Sequence, residues 1–271
     1  MATETLPPKG ALTRSFAFLL VVVLGLTVAA CAHKPPESDP VALAEYERVN
    51  DPLEPLNRVT HGFNMTFDKV LMQPVAEIYR ALVPGFLRRG ITNILDNLMS
   101  PFTLANDLLQ GEVGRGGETI ARFAINSTIG IGGFFDPASD WGIEEHKEDF
   151  GETLAVWGVG EGFYLVVPFF GPSNPRDFVG LGVEFFADPV SLYLDDANQR
   201  ELRIARTSLE IIDARERHLD TLEELERNST DLYVAMRSAY RQNRAFRINN
   251  GAATESKAEE DLFDMEMDED F

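Results

Sequence analysis

The residue whose type and position most clearly predict chemistry is Cys31, the only cysteine in the 271-residue chain. It directly follows the small residues Val28-Ala29-Ala30, at the end of an apolar run that begins at Phe16 and is preceded by two basic residues. This arrangement is typical of a bacterial signal peptide, and the run is shorter than the roughly 20 apolar residues of a membrane span. A lone thiol in an exported chain can form no internal disulfide. We therefore expect residues 1–30 to be a lipoprotein signal peptide and Cys31 to be lipidated. An uncleaved anchor with an incidental cysteine is the alternative.

Catalytic and metal-binding patterns are missing from the sequence. It contains no G-x-x-x-x-G-K-[ST] phosphate loop, no G-x-S-x-G nucleophile elbow and no H-E-x-x-H zinc motif. The histidines have no metal-ligand spacing and lie far apart, at His33, His61, His146 and His218. The acidic pairs Glu144-Glu145 and Glu148-Asp149 could supply acid or base groups, but among 44 acidic residues we expect them to form a solvated face. The sequence favours a protein that is not an enzyme and that uses no metal or cofactor.

The charge balance narrows the class of partner. The chain carries a formal net charge of −20, which makes nucleic acid an improbable partner and disfavours electrostatic adhesion to anionic lipid. Membrane attachment would then depend on acyl chains and apolar surface, because stable anchoring needs more than one signal.

Composition divides the chain behind the signal peptide into three parts. Residues 31–44 contain three prolines and predict an extended tether. Residues 45–250 have the size of one domain. Residues 251–271 are acidic and low in complexity, so we expect a disordered tail, with a linear docking peptide as the alternative.

Both ends of the expected domain, residues 45–250, have helical periodicity. Leu56, Val59, Phe63, Phe67 and Val70 recur at spacings of three and four, which predicts a helix entered through Asp51-Pro52. A similar apolar stripe runs from Leu202 to Leu222, interrupted at Glu216. Further helices are expected at residues 101–110, at residues 117–128 and, shorter, near residues 231–246.

The secondary structure of the middle of this domain is ambiguous. Thr153 to Phe170 mixes apolar residues with glycines, and its periodicity would allow a β-hairpin. Phe178 to Leu194 is strongly apolar. It is core in an ordinary soluble protein, or an amphipathic segment at the membrane interface in a lipid-anchored one. Gly158, Gly160 and Gly162 predict tight turns or, alternatively, a flexible hinge beside a ligand path.

From Asn50 to about Asn249 the sequence resembles the MlaA (VacJ) lipoproteins. The resemblance rests on an ordered set of short motifs, which is specific as a whole although each piece is weak: Asn50-Asp51-Pro52-Leu53-Glu54, Leu56-Asn57-Arg58, Phe63-Asn64, Val83-Pro84, Arg89-Gly90, Asn97-Leu98, Leu109-Gln110-Gly111, Arg122-Phe123, Gly132-Gly133, Phe150-Gly151, Thr153-Leu154, Gly158-Val159-Gly160-Glu161-Gly162 and Arg176-Asp177.

The resemblance implies an all-α fold, namely a single helical ring embedded in the periplasmic leaflet of the outer membrane around a central amphipathic channel. Such proteins sit beside trimeric porins. They pass phospholipid from the outer leaflet to a soluble periplasmic carrier, which feeds an inner-membrane ABC transporter. Ala32 follows Cys31, and in similar lipoproteins a residue other than Asp there permits sorting to the outer membrane.

The resemblance also suggests roles for individual residues. Phe63 and Asn64 would belong to the helix that lines or gates the channel, and Gly158 and Gly160 would let the adjoining hairpin move. For Phe63, plain core packing is an equally good interpretation of the periodicity. Around Thr153 to Phe170 the resemblance favours helices over the β-hairpin.

These implications give a main hypothesis and two competitors. The main one is a passive conduit that removes mislocalised phospholipid from the outer leaflet and so maintains lipid asymmetry. A structural lipoprotein that only docks on a porin, or assists envelope assembly, is the second. An esterase or phospholipase is the third and weakest, because Ser127 and Ser173 lack an evident histidine partner.

Overall fold

The computed structural model describes residues 49–251. The expected signal peptide, the tether, Cys31 and the acidic tail beyond Gly251 lie outside these residues. In chain order the elements are α1 (Glu54–Phe67), a π-helical turn (Asp68–Met72), α2 (Gln73–Leu82), α3 (Gly85–Gln110), α4 (Val113–Thr128), α5 (Pro137–Asp140), α6 (Phe150–Val156), β1 (Leu165–Val167), β2 (Gly171–Ser173), α7 (Pro175–Ala187), α8 (Pro189–Asp196), α9 (Arg200–Arg217), α10 (Leu219–Asn228) and α11 (Leu232–Ile248).

The described chain is predominantly helical, which confirms the expected class in its coarse form. The expectation of helices around Thr153 to Phe170 is correct only for its first residues, since α6 ends at Val156, and is wrong beyond them, where β1 and β2 form an antiparallel hairpin. Val166 pairs with Pro172 at the centre of this hairpin. β-branched residues pack well on a pleated surface, which favours a strand at Leu165–Val167.

Helix α3 is longer than the sequence pattern suggested. It begins at Gly85 and continues through Pro101, the residue at which we expected a helix to start. An interior proline removes one backbone hydrogen bond. Residues on both sides of it are buried, including Leu95 and Phe102, so packing along the whole helix outweighs this local cost.

The apolar segment from Phe178 to Leu194 forms two helices instead of a buried core element. Asp188 interrupts it and caps α8 by accepting hydrogen bonds from the backbone N–H groups of Val190 and Ser191 at 3.1 and 3.2 Å. Phe185 and Phe186 are 65% and 77% exposed, and of this segment's apolar residues only Leu194 is buried. This exposure agrees with the interfacial alternative.

Burial in this protein is inverted relative to an ordinary soluble domain. Among residues 49–251, buried polar and charged side chains outnumber buried hydrophobic ones, and many large apolar side chains are exposed. Extended exposed apolar surface marks a site of protein or membrane interaction. None of the described helices has the length and hydropathy needed to cross a bilayer.

The contacts divide the described chain into two compact units. The smaller contains residues 49–67 and Gly162–Asn174, and therefore α1 with the β-hairpin. The larger contains Asp68–Glu161 and residues 175–251.

Candidate functional site

The larger unit contains a polar cavity of about 280 Å³. Hydrophilic side chains dominate its lining, and both signs of charge are present. The lining residues are Asn93, Asp96, Asn97, Met99, Ser100, Thr103, Thr119, Arg122, Asn126, Asp136, Glu145, His146, Lys147, Glu148, Asp149, Glu184 and Arg247.

Helices and one extended segment position these groups. Helix α3 supplies Asn93 to Thr103, helix α4 supplies Thr119 to Asn126, and Glu184 and Arg247 come from α7 and α11. The segment of residues 143–149, which we call the strap, has no regular secondary structure and supplies Glu145 to Asp149. Glu145 and His146 of the strap also line a second cavity, of about 540 Å³.

One side of the cavity is fixed by Arg122 and Asp136. Arg122 Nη2 donates to Asp136 Oδ2 at 2.9 Å, and Asn126 Nδ2 donates to the other carboxylate oxygen at 2.8 Å. Burial alone would raise the pKa of Asp136, but hydrogen bonds from Ser139, Arg122 and Asn126 outweigh it and lower the pKa below its ordinary value. Asp136 therefore remains a carboxylate and holds the guanidinium in place.

The strap is held by ion pairs. Lys147 Nζ lies 2.6 Å from Asp96 Oδ1 and 3.3 Å from Glu145 Oε1. Glu148 accepts from Arg115 at 2.7 Å, and its side chain is only 2% exposed. The expectation that Glu148-Asp149 would form a solvated face is therefore wrong for Glu148, whose charge is paired and buried.

His146 is a packing residue of the strap. Its Nε2 lies 3.1 Å from Asp107 Oδ1 and 3.1 Å from Thr119 Oγ1, while Thr119 donates to Asp107 Oδ2 at 2.7 Å. Within residues 49–251, no group of three or more His, Cys, Asp or Glu side chains is arranged to hold a metal ion.

Arg244 joins the strap to α6 and α7. Its Nη2 donates to Asp149 at 2.7 Å and to Asp177 at 2.9 Å, and its Nη1 donates to Glu152 at 3.0 Å. Burial opposes the charge, but hydrogen bonding to Asp149 and the surrounding carboxylates raise the pKa of Arg244 above its ordinary value. Asp149 and Glu152 also form a reciprocal capping box at the start of α6.

Glu184 differs from the other lining carboxylates. Within the described part of the chain it has no ion-pair or side-chain hydrogen-bond partner, although Arg247 influences it electrostatically. Burial, reinforced by the charge of Asp149, raises its pKa to about 7. The next two residues of α7, Phe185 and Phe186, are exposed, so this helix combines a cavity-lining carboxylate with outward aromatic side chains.

Asn64 and Phe63, which the resemblance implicated in lining or gating, lie in the smaller unit. Asn64 Nδ2 donates to the Val167 carbonyl at 2.9 Å, and its Oδ1 accepts from the Phe169 amide at 2.8 Å. The ring of Phe63 packs edge-to-face on Phe169 at 5.2 Å and is 48% exposed, so it is not a plain core residue. Both side chains thus support the tip of the hairpin.

Asn57 holds the base of the same hairpin. It lies seven residues before Asn64 on α1 and therefore on the same helix face. Its Nδ2 donates to the Tyr164 carbonyl at 3.0 Å, and its Oδ1 accepts from the Val166 amide at 2.9 Å. Asn57 and Asn64 thus form a clamp on the hairpin backbone. Their spacing is visible in the sequence, but our sequence analysis missed this role for Asn57.

Gly158 and Gly160 lie in the larger unit between α6 and the segment that leads to β1. Gly158 has φ +87° and terminates α6, because the amides of Gly158 and Val159 donate to the carbonyls of Ala155 and Leu154, both at 2.9 Å. This is a Schellman motif, which a glycine accommodates most easily. A side chain at Gly160 would meet open space. The turn interpretation therefore accounts for Gly158, and hinge motion stays a prediction.

The serines considered as nucleophiles have other partners. Ser127 accepts from Asn97 Nδ2 at 2.9 Å, and Ser173 donates to the Asn174 carbonyl at 3.3 Å.

Comparisons with known proteins agree with this architecture. The model of the MlaA lipoprotein family matches residues 49–247. The Escherichia coli K12 intermembrane phospholipid transport system lipoprotein MlaA is 36% identical over 208 residues, covering 74% of this chain and 80% of that protein. The Haemophilus influenzae protein of the same name is 33% identical over 213 residues, covering 77% and 83%.

A solved structure is also similar. It comes from work on the structural basis for maintenance of bacterial outer membrane lipid asymmetry, with a TM-score of 0.63 and 34% sequence identity, and the match covers 73% of this chain and 98% of that one. The family match and these two relatives together establish that the chain belongs to the MlaA lipoprotein family.

Proposed function

We propose that this protein is an outer-membrane lipoprotein that removes mislocalised phospholipid from the outer leaflet through its polar cavity. The lipid headgroup would travel along the cavity while the acyl chains stay in an apolar environment. Moving a charged headgroup through hydrocarbon costs much free energy, because the charge loses its hydration and finds no polar partner. A lining of hydrogen-bonding groups lowers that cost.

The observation that carries this proposal is the two-sided character of α7. Glu184 of this helix lines the cavity, while Phe178, Phe185 and Phe186 are exposed. A soluble protein gains stability by burying such aromatic side chains. Their exposure beside a polar interior suits a protein whose surroundings are lipid and whose interior passes a polar group.

The comparisons with known proteins support the same proposed function. The relatives from Escherichia coli and Haemophilus influenzae are named as lipoproteins of an intermembrane phospholipid transport system, and the similar structure concerns outer membrane lipid asymmetry. We infer that this chain also works with further components, namely a trimeric porin and a periplasmic carrier that feeds an ABC transporter. Acylation at Cys31 and the exposed apolar side chains would attach it to the periplasmic leaflet.

The test combines gene deletion with a blocked cavity. Deletion should leave phospholipid exposed at the cell surface and sensitise the cell to detergent, and the wild-type gene should restore the barrier. Ser100, which lines the cavity, is only half-buried, so Ser100→Trp should fill the cavity and fail to restore it. Ser208→Trp places the same side chain at an exposed position of α9 outside the cavity lining and should complement.

Two controls separate transport from porin docking. Both variants must reach wild-type abundance and retain porin in a pull-down, and porin abundance must be equal in all strains. If Ser100→Trp binds porin and clears surface phospholipid as well as the wild type, the lipid does not pass through this cavity. An unchanged outer leaflet in the deletion strain would refute the transport function itself.

A further inference from the structure

We infer that the polar cavity selects phospholipids whose headgroup carries a primary ammonium, as phosphatidylethanolamine does, and that Glu184 receives this ammonium. The inference rests on the proposed function and adds the class of lipid to it. It follows from the distribution of charge along the cavity wall.

The lining has an excess of acidic groups. Six lining residues are carboxylates and three, Arg122, Lys147 and Arg247, are cations, while Arg115 and Arg244 outside the lining pair with two of the carboxylates. A carboxylate of this wall that no cation neutralises therefore opposes a headgroup whose net charge is negative. It does not oppose a zwitterionic headgroup, in which one positive and one negative charge cancel.

Each of the three cations already has a carboxylate partner. Arg122 pairs with Asp136 at 2.9 Å, Lys147 with Asp96 at 2.6 Å, and Arg247 with Glu152 at 2.8 Å. Lys147 and Arg247 nevertheless keep 46% and 34% of their side-chain surface exposed, so each can also reach a lipid phosphate. A phosphate alone would have to compete with the resident carboxylates.

Glu184 is the lining carboxylate that lacks such a partner within the described chain. A primary ammonium can donate charge-assisted hydrogen bonds to it, whereas a glycerol headgroup offers only neutral hydroxyls. Asp149 reinforces the negative potential at Glu184, and Arg247 acts on the same group as the nearby cation. Glu184 and Arg247 both line this cavity, so a carboxylate and a cation are available for the two charges of phosphoethanolamine.

The size of the cavity agrees with a headgroup. Pockets for whole drug-sized molecules measure roughly 300–1,000 Å³. A cavity of about 280 Å³ is small on this scale and suits a headgroup more than an entire lipid.

The experiment is a capture competition with the full-length acylated protein in vesicles. The vesicles contain equal amounts of phosphatidylethanolamine and phosphatidylglycerol, with identical acyl chains that carry the same photoreactive group beside the glycerol ester, the part of the chain nearest the headgroup. After illumination, mass spectrometry of peptides from the cavity wall gives the ratio of the two captured lipids. We expect about 5-fold preference for phosphatidylethanolamine, which corresponds to about 1 kcal/mol.

Variants of Glu184 decide the inference. Glu184→Gln should bring the ratio close to one, and Glu184→Lys should invert it, because the added cation attracts the anionic lipid. Glu201→Gln removes one negative charge at an exposed position outside the cavity lining and should keep the wild-type ratio. If Glu184→Lys does not fold, the neutral and nearly isosteric Glu184→Gln carries the test.

The possible failures are distinguishable. Equal capture of both lipids by the wild type, or an unchanged ratio in Glu184→Gln, overturns the selectivity and leaves the conduit intact. Absence of any lipid crosslink on cavity peptides overturns the proposed function together with the inference.

Discussion

Asn64 holds the backbone of Phe169 in a conformation that non-glycine residues seldom adopt. Phe169 has φ +69°, its amide donates to Asn64 Oδ1 at 2.8 Å, and Asn64 Nδ2 donates to the carbonyl of Val167, two residues earlier, at 2.9 Å. A left-handed conformation costs roughly 1–2 kcal/mol outside glycine. The asparagine amide stabilises this tip by offering a donor and an acceptor at the required spacing.

Asn64→Asp tests the clamp, because the carboxylate keeps the acceptor and loses the donor to Val167. We expect the stability of the hairpin to fall by about 1–2 kcal/mol. A hydrogen bond is broken, and the Val167 carbonyl oxygen then faces a negatively charged carboxylate oxygen. Hydrogen exchange of the Phe169 and Phe170 amides should accelerate accordingly. Thr66→Val changes an exposed residue of the same helix and should leave exchange unchanged.

The same variant addresses the predicted role of Asn64 in the lipid path. If Asn64→Asp has wild-type exchange at the hairpin but no longer clears surface phospholipid, Asn64 lines or gates the path. If both properties change together, its effect on transport is exerted through the hairpin.

Gly158 and Gly160 should respond differently to alanine. Gly158→Ala should cost about 1 kcal/mol in the free energy of unfolding, because its positive φ favours glycine. Gly160→Ala should be close to neutral, since a Cβ there meets open space. Denaturant unfolding of the purified protein measures both values.

Alanine at Gly160 also tests the hinge. A hinge requires backbone freedom, so Gly160→Ala should slow lipid clearance without loss of stability if the segment must move. Wild-type clearance by a stable Gly160→Ala protein would leave only the turn interpretation.

Gly180 of α7 lies against the backbone of Gly151 in α6. A Cβ on Gly180 would lie 2.4 Å from the Gly151 nitrogen, which no side-chain rotation can relieve. We expect Gly180→Ala to destabilise the protein by about 1–3 kcal/mol or more, because the two helices must separate. Gly182→Ala, in the same helix with open space around its Cβ, should be neutral or stabilising. Thermal unfolding of the pair makes the comparison, and equal melting temperatures would contradict the close packing.

The helical elements at both ends of the body could be predicted from the sequence because local periodicity determines them. The stripe of Phe63 and Phe67 identified α1, which the structure begins at Glu54. Pro101 misled the assignment of α3, because a local rule favours proline at a helix start and packing along the helix outweighed it. The hairpin at Leu165–Val167 was too short for periodicity to separate it from helix.

The cavity could not be predicted, because it depends on contacts between residues far apart in sequence. Lys147 meets Asp96 across 51 positions, and Arg244 meets Asp149 across 95. One local signal was available. The apolar segment Phe178 to Leu194 contains two acidic residues, Asp188 at a helix cap and Glu184 within a helix, and an ionisable group in apolar surroundings is a candidate functional residue. The apolar character of this segment predicted only core packing or a position at the membrane interface.

The small residues Val28-Ala29-Ala30 directly before Cys31 predict the chemical state of the mature N-terminus. Mass spectrometry of membrane-extracted protein should find Cys31 as the first residue, carrying acyl chains. Cys31→Ser should retain residues 1–30 and lose outer-membrane localisation, because the expected acyl chains would supply a large part of the attachment. An unmodified Cys31 or an intact Met1 in the wild-type protein would contradict lipidation.

Glu184 should make the stability of the protein depend on pH in a direction opposite to that of a salt-bridged carboxylate. Burial, reinforced by Asp149, Asp188 and Glu210 and opposed by Arg247, raises its pKa to about 7 from an ordinary value near 4.5. Between these values the folded state binds a proton that the unfolded state releases. The contribution of protonated Glu184 to the free energy of unfolding is therefore fully present below pH 4.5 and is lost as the pH rises to about 7.

Glu184→Gln keeps the side chain neutral at every pH and should remove this loss. We expect the variant to match the wild type at pH 4.5 and to exceed it by about 1–3 kcal/mol at pH 8, because each unit of pKa shift corresponds to about 1.4 kcal/mol and partial exposure reduces the full value. Denaturant unfolding in detergent at several pH values measures the difference, and Glu201→Gln, at an exposed position, should follow the wild-type curve. Parallel curves for wild type and Glu184→Gln would mean that Glu184 is as well solvated in the cavity as in the unfolded chain. It would then be an ordinary surface carboxylate, with no special capacity to hold an ammonium group.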